Sequence, residues 1–302
     1  MTVRACVSAL LAAASLAAGQ ATAANAAPGR EACTALAQRS TADVRVTEAQ
    51  WQPAGSLPAG PGNAAIAVPE HCLVRLMVNA RPSNVPDMGY GIGIEVRLPS
   101  QWNGRLLVQG GGGMNGSLLP AVGRVAGFPA AIERGFAVVS TDSGHQGRSA
   151  IDSRFGVDQQ AKLDFAYQGI ERATRESKSV LSQFYGRKAD RSYFMGCSTG
   201  GREALLAAQR LPLQFDGVVS GNAARDFTRL VTHQIWSLQT VTRISPRDAA
   251  GKPDLSRAFS DAQLQAVSAA VLKECDALDG LRDGMINDHA ACRFTPKVLV
   301  CG

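Results

Sequence analysis

Residues 192–205 leave the chain little freedom. Tyr193-Phe194-Met195 is a short apolar run of strand type. Gly196-Cys197-Ser198-Thr199-Gly200 then matches Gly-x-Ser-x-Gly, and helix-forming residues from Glu203 to Ala208 follow at once. A serine on a tight turn between strand and helix is held in a strained backbone position with its hydroxyl clear of the sheet. The flanking glycines are small because a Cβ there would strike neighbouring backbone. The helix that follows offers unpaired N–H groups and its positive end to an anion. Ser198 is therefore the candidate nucleophile for acyl transfer, and the Thr199 N–H is a candidate oxyanion donor. An incidental serine in a glycine-rich turn would look similar, but the strand and helix on either side favour the nucleophile.

A second glycine-rich turn follows a short apolar strand. Arg105-Leu106-Leu107-Val108-Gln109 runs into Gly110-Gly111-Gly112-Gly113. Hydrolases with a nucleophile elbow take their second oxyanion donor from a glycine-rich loop in this position. Gly113 is the candidate, with Gly112 next to it. No Gly-Lys-Ser/Thr follows, so this is not a Walker loop.

The remaining pattern alternates strands and helices. Cys72 to Val78, Gly91 to Leu98, Phe136 to Ser140 and Asp216 to Ser220 read as strands. Residues 130–134 read as a short helix. Residues 160–185 read as a long amphipathic helix, with Ile170, Ala173, Ser177, Val180, Leu181 and Phe184 at helical spacing and Gly186 as the stop. Such alternation predicts an α/β protein with a mostly parallel sheet. Residues 27–70 are rich in Ala, Gly and Pro and read as an irregular arm that needs a staple. Asp142 and His145, in the loop after a strand, resemble catalytic partners. An Asp at a strand end more often caps its loop through Asx hydrogen bonds.

Of the 302 residues, 45% are hydrophobic and 19% charged, which suits a globular core. The net charge of +6 comes from scattered Lys and Arg, with no basic run or stripe, so nucleic-acid binding is not supported. Residues 1–26 have a basic start at Arg4, an apolar run from Ala5 to Ala18, and Ala-x-Ala sites at 21–23 and 24–26. This predicts a cleaved signal peptide and a secreted or periplasmic protein. The apolar run is too short to span a bilayer, and no later stretch is long enough, so no membrane partner is expected. Export puts Cys33, Cys72, Cys197, Cys275, Cys292 and Cys301 in an oxidising compartment, where six cysteines allow fifteen connectivities.

Past Gly221 the character changes. Residues 223–242 look helical and 243–259 loop-like, and Ser260 with Gln263 forms a capping box that opens another helix. Asp276, Asp279 and Asp283 then fall within eight residues, with Gly280 and Gly284 between and after them, and Cys275 and Cys292 on either side. Hard oxygen donors on one tight loop suit calcium better than magnesium, although the spacing is not that of an EF-hand.

Together these pieces resemble the tannase and feruloyl esterase family of secreted serine esterases, which includes hydrolases of mono(2-hydroxyethyl) terephthalate. The resemblance rests on Gly110–Gly113, Thr141-Asp142-Ser143-Gly144-His145, the Cys197-Ser198 elbow, and Cys275-Asp276-x-x-Asp279-Gly280-x-x-Asp283-Gly284. It implies an α/β-hydrolase fold, with an incomplete sheet in 27–222 and the beginning of a lid in 223–302. It implies hydrolysis of esters of aromatic acids, of feruloyl or tannin type, through an acyl-enzyme on Ser198. It also implies structural calcium held by the side chains of Asp276, Asp279 and Asp283 and the carbonyls of Leu281 and Met285, and disulfides Cys33–Cys72 and Cys275–Cys292.

The chain departs from the family at the triad, whose order is Ser, Asp, then His-Cys. The histidines after Ser198 are His233 and His289, and neither precedes a Cys. The resemblance therefore implies an N-terminal portion of an esterase, with the catalytic Asp and His-Cys beyond it and with Cys197 and Cys301 lacking partners. His71-Cys72 is the one substitute dipeptide; it would require Cys72 to pair with Cys197. The alternatives are a non-catalytic, calcium-binding secreted protein on the same scaffold and a hydrolase of aliphatic esters. Nothing in the sequence specifies an oligomeric state.

Overall fold

In the computed structural model, residues 28–58, 64–124 and 128–300 are described. The candidate signal peptide and Cys301 lie outside them. The contacts divide the chain between Arg225 and Asp226.

The N-terminal unit is a mixed sheet covered on both faces. Helix α1 (Arg30–Ala35) leads to β1 (Val44–Gln52), the hairpin of β2 (Gly55–Leu57) and β3 (Ile66–Val68), and the long pair β4 (His71–Arg81) and β5 (Gly89–Pro99). Next come β6 (Arg105–Gln109), β7 (Ala137–Thr141) and the short β8 (His145–Gln146). Helices α2 (Gln159–Leu163) and α3 (Gly169–Tyr185), β9 (Arg191–Cys197), α4 (Thr199–Arg210) and β10 (Gly217–Gly221) complete the unit. The main sheet runs β1-β4-β5-β7-β6-β9-β10, with β8 also pairing β5.

Only half of that sheet is parallel. β7, β6, β9 and β10 pair in parallel, whereas β1·β4, β4·β5 and β5·β7 are antiparallel. The seven residues between β4 and β5 can close a hairpin but are too few for the crossover a parallel pair needs, so the expectation of a mostly parallel sheet is corrected. The irregular N-terminal arm is corrected too. Nine of its residues form β1, and a register shift between Val46 and Glu48 breaks the period-two alternation that would have marked it.

One face of the sheet, with Leu106, Val108, Val139 and Phe194, packs under α1, α3 and α4. The other face, with Leu107 and Val138, packs under Ile66, Val68, Ala121, Val122 and the turn from Ala130 to Ile132. The long helix is not continuous. A π turn at Asp164–Gln168 separates α2 from α3, and Gly186 stops α3 at φ 68°. Residues 130–134 hold only a 3-10 turn, Ile132–Arg134. The disulfide Cys33–Cys72 ties α1 to β4, as the resemblance implies.

The C-terminal unit carries α5 (Phe227–Ile244), capped by Asp226, and α6 (Asp261–Cys275), opened by the expected capping box of Ser260 and Gln263. Cys275–Cys292 closes the acidic loop. Cys275 is its one buried residue among those described, and Ile235, Trp236 and Leu238 of α5 stand exposed. No helix among the described residues is long and apolar enough to cross a membrane.

Candidate active site

Ser198 joins β9 to α4 with φ 59° and ψ −119°, a conformation that few side-chain-bearing residues adopt. The turn is this tight because β9 and α4 nearly touch. A Cβ on Gly196 would lie 2.3 Å from the Gly200 carbonyl oxygen, and one on Gly200 would lie 2.8 Å from that of Gly111. Ser198 Oγ is exposed and makes no hydrogen bond among the described residues.

The glycine-rich loop lies directly against the start of α4. Gly200 N–H donates to Gly111 O at 3.0 Å, and Thr199 Oγ1 donates to Gly113 O at 2.5 Å. Gly113 has φ +59°, and a Cβ there would meet Ala150 O at 2.1 Å. The N–H groups of Thr199, Gly112 and Gly113 have no protein acceptor among the described residues. The three sequence-selected amides are thus left without a protein acceptor, on a loop and a helix start that hydrogen-bond each other next to Ser198.

Four buried side chains brace this corner. Arg202 donates to Phe165 O at 2.9 Å and Ala166 O at 3.0 Å, and burial lowers its pKa. Glu203, fully buried, accepts from Gly111 N–H at 2.8 Å, Asn115 Nδ2 at 2.7 Å and Ser143 Oγ at 3.0 Å. Asn115 Nδ2 also reaches Ser143 Oγ. The sequence did not mark Glu203, because its partners lie 60 to 92 residues away.

The histidines of this unit serve the fold rather than Ser198. His71 Nδ1 bonds Pro69 O at 2.7 Å, and its Nε2 meets Arg97 Nη1 at 2.9 Å. Its neighbour Cys72 is bonded to Cys33, which removes the route by which His71 would have approached Cys197. His145 is sealed against Phe155, with ring centroids 3.9 Å apart; neither ring nitrogen has a partner, and burial lowers its pKa to about 4. Asp142 caps its loop, accepting from Gly93 N–H, Gly144 N–H and Gln146 Nε2. Burial outweighs those three donors and raises its pKa to about 7. Cys197 is a free, exposed thiol.

Beside the elbow opens a cleft of about 570 Å³. Gly110, Gly111, Gly196 and Cys197 form its floor, Leu57, Ile66, Leu119, Val122, Met195 and Val219 its apolar walls, and Gln109 and Arg124 its polar lining.

Residues 78–302 match the family described as tannase and feruloyl esterase. The chain belongs to that family. Among its relatives is a mono(2-hydroxyethyl) terephthalate hydrolase of Piscinibacter sakaiensis, 38% identical over 259 residues that cover 82% of this chain and 42% of the relative. A probable feruloyl esterase B-1 of Aspergillus fumigatus is 33% identical, over 80% of this chain and 42% of its own. The crystal structure of feruloyl esterase B from Aspergillus oryzae superposes with a TM-score of 0.69 at 28% identity, covering 90% of this chain and 52% of that one. The chain thus spans less than half the length of these curated relatives. The α/β fold read from the sequence is the fold of its tannase-family neighbours.

The acidic loop offers calcium the right atoms but not a gathered set. Asp276 Oδ1 accepts from Gly284 N–H, the two oxygens of Asp279 accept from Leu281 and Asn287 N–H, and Asp283 Oδ1 accepts from Met285 N–H. The N–H donors of Asn287 and Leu281 lower the Asp279 pKa. No cluster of three acidic, Cys or His side chains at metal-binding distance occurs among the described residues. As folded, the loop closes on its own hydrogen bonds.

Proposed function

We propose that this chain carries the nucleophile half of a serine esterase acting on esters of aromatic acids. The observation that carries the reading is Ser198 at φ 59° with three uncommitted N–H groups around it. Ser198 Oγ attacks the ester carbonyl. The N–H groups of Thr199 and Gly113, with Gly112 beside them, hold the oxyanion, and water later hydrolyses the acyl-enzyme. The apolar cleft walls suit an aromatic acyl group, and the relatives named above include feruloyl esterases. A serine hydroxyl also needs an imidazole and a carboxylate to orient it. Neither described histidine of the N-terminal unit hydrogen-bonds Ser198, so turnover requires a histidine from elsewhere.

The two disulfides support export to an oxidising compartment behind a cleaved leader. The acidic loop, pinned at both ends by Cys275–Cys292, is proposed as a calcium site that forms when the carboxylates turn from their N–H donors to the ion. Asp276, Asp279 and Asp283 and the carbonyls of Leu281 and Met285 would hold it. Its contribution is to the stability of the loop.

The test is covalent capture. The protein is mixed with an aryl ester or an aryl fluorophosphonate, and the peptide containing Ser198 is examined by mass spectrometry. The reading predicts an adduct on Ser198 and loss of ester turnover in Ser198→Ala. An adduct elsewhere, or ester turnover by the unaltered protein that persists in Ser198→Ala, refutes it. The unpartnered Ser198 Oγ is the observation that favours the rival, a non-catalytic calcium-binding protein; complete failure to label together with calcium binding would establish that rival.

A further inference from the structure

Four consecutive glycines carry more backbone freedom than any other tetrapeptide, so Gly110–Gly113 cannot order itself. Its order comes from outside. Gly110 N–H donates to Met195 O at 2.8 Å, and Gly111 O and Gly113 O accept from Gly200 N–H and Thr199 Oγ1. The Gly111 N–H has one partner, the buried carboxylate of Glu203. Through Asn115 and Ser143 the same carboxylate also holds the far end of the loop and the turn after β7.

The network has a visible cost. Asn115 turns its Nδ2 to the carboxylate and to Ser143, which strands its Oδ1, buried and without a partner. Rotating the amide would satisfy nothing, because Oδ1 would then face an anion. The charge on Glu203 thus dictates the arrangement around it, and the amides it leaves unspent are those of Gly112 and Gly113.

We infer that Glu203 is a positioning residue for the oxyanion hole. Its carboxylate fixes the Gly110–Gly111 peptide so that the next two N–H groups point at the acyl oxygen before substrate arrives. Glu203 touches no substrate; it acts through the loop. The inference rests on Ser198 being the nucleophile.

Glu203→Gln and Glu203→Ala are compared with the unaltered protein and Ser198→Ala in two measurements, 4-nitrophenyl acetate kinetics and amide hydrogen exchange over residues 110–116. A glutamine keeps the shape and can still accept from Gly111 N–H. Its Nε2 can donate to Ser143 Oγ or to the stranded Asn115 Oδ1. Glu203→Gln therefore keeps its urea midpoint and its protection at Gly111, loses about tenfold in kcat and changes KM less than about twofold. Glu203→Ala loses about a hundredfold in kcat, the scale of one oxyanion donor, and its Gly111 amide exchanges at least tenfold faster. Unchanged kcat in Glu203→Ala overturns the inference, as does a loss that appears only in KM or only in step with the urea midpoint. If Ser198→Ala turns over as fast as the unaltered protein, the nucleophile reading fails on its own; if neither turns over, the outside histidine is missing and the kinetics read nothing. Exchange then decides the loop's dependence on Glu203, and unaltered protection at Gly111 in Glu203→Ala overturns it.

Discussion

Replacing Ser198 by glycine should make the protein more stable while removing its nucleophile. The serine sits at φ 59° and ψ −119°, and its hydroxyl makes no hydrogen bond that would repay the strain. A side chain held in such a region costs about 1–3 kcal/mol. Glycine relieves that cost but loses about 0.5–1 kcal/mol through its more flexible unfolded chain. The net gain is about 1 kcal/mol, which for a unit of this size corresponds to a melting temperature higher by about 2–4 °C. Ser198→Ala is the control, because alanine keeps a Cβ at the same φ and should melt with the unaltered protein. Thermal unfolding followed by circular dichroism reads all three. The reasoning is refuted if Ser198→Gly melts at or below Ser198→Ala, for then the elbow stores no strain.

Removing the Cys33–Cys72 disulfide, by changing both cysteines to alanine, frees a loop closed over a separation of 39 residues. Loop-closure entropy then predicts a loss of about 4 kcal/mol, read from urea midpoints. His145 is held below its ordinary range, at about 4, so the unfolded chain takes up a proton first as pH falls and the fold loses stability between pH 6.5 and 4. His145→Leu should remove that loss, so its urea midpoint gains on the unaltered protein towards pH 4 by up to about 3 kcal/mol at ~1.4 kcal/mol per unit. Asp142 runs the other way: its folded pKa is raised to about 7, so this carboxyl costs the fold stability as pH climbs from about 4 to 7 and opposes the contribution of His145. Calcium at a hundred times its dissociation constant should stabilise the acidic loop by about 2.7 kcal/mol, and Asp279→Ala should abolish the shift. Calorimetric titration with calcium, then with magnesium, checks both parts.

What the sequence revealed was whatever is local. The elbow could be read because strand, turn and helix are contiguous, and β6 begins and ends where its apolar run does. The helix stop at Gly186 and the cap at Ser260 are likewise set by neighbours a few residues away. The bulge that hides β1 is not local in this sense, since it makes sense only against β4. Nor is the antiparallel half of the sheet, which the length of a connection decides. Glu203 reads as one more helix former until Gly111, Asn115 and Ser143 are brought around it. The acidic loop shows the converse: its composition points to an ion, while its backbone N–H groups compete for the same oxygens.

The π turn at Asp164–Gln168 bears on how such a chain can change in length. A π turn carries one residue more than the helix around it. Arg202 binds the carbonyls of Phe165 and Ala166, both within that turn. Deleting a single residue there would restore a regular helix, rotate the preceding segment by about 100° and withdraw both carbonyls from the guanidinium. The segment from Gln159 to Tyr185 thus has its length fixed by an arginine one turn into the elbow helix.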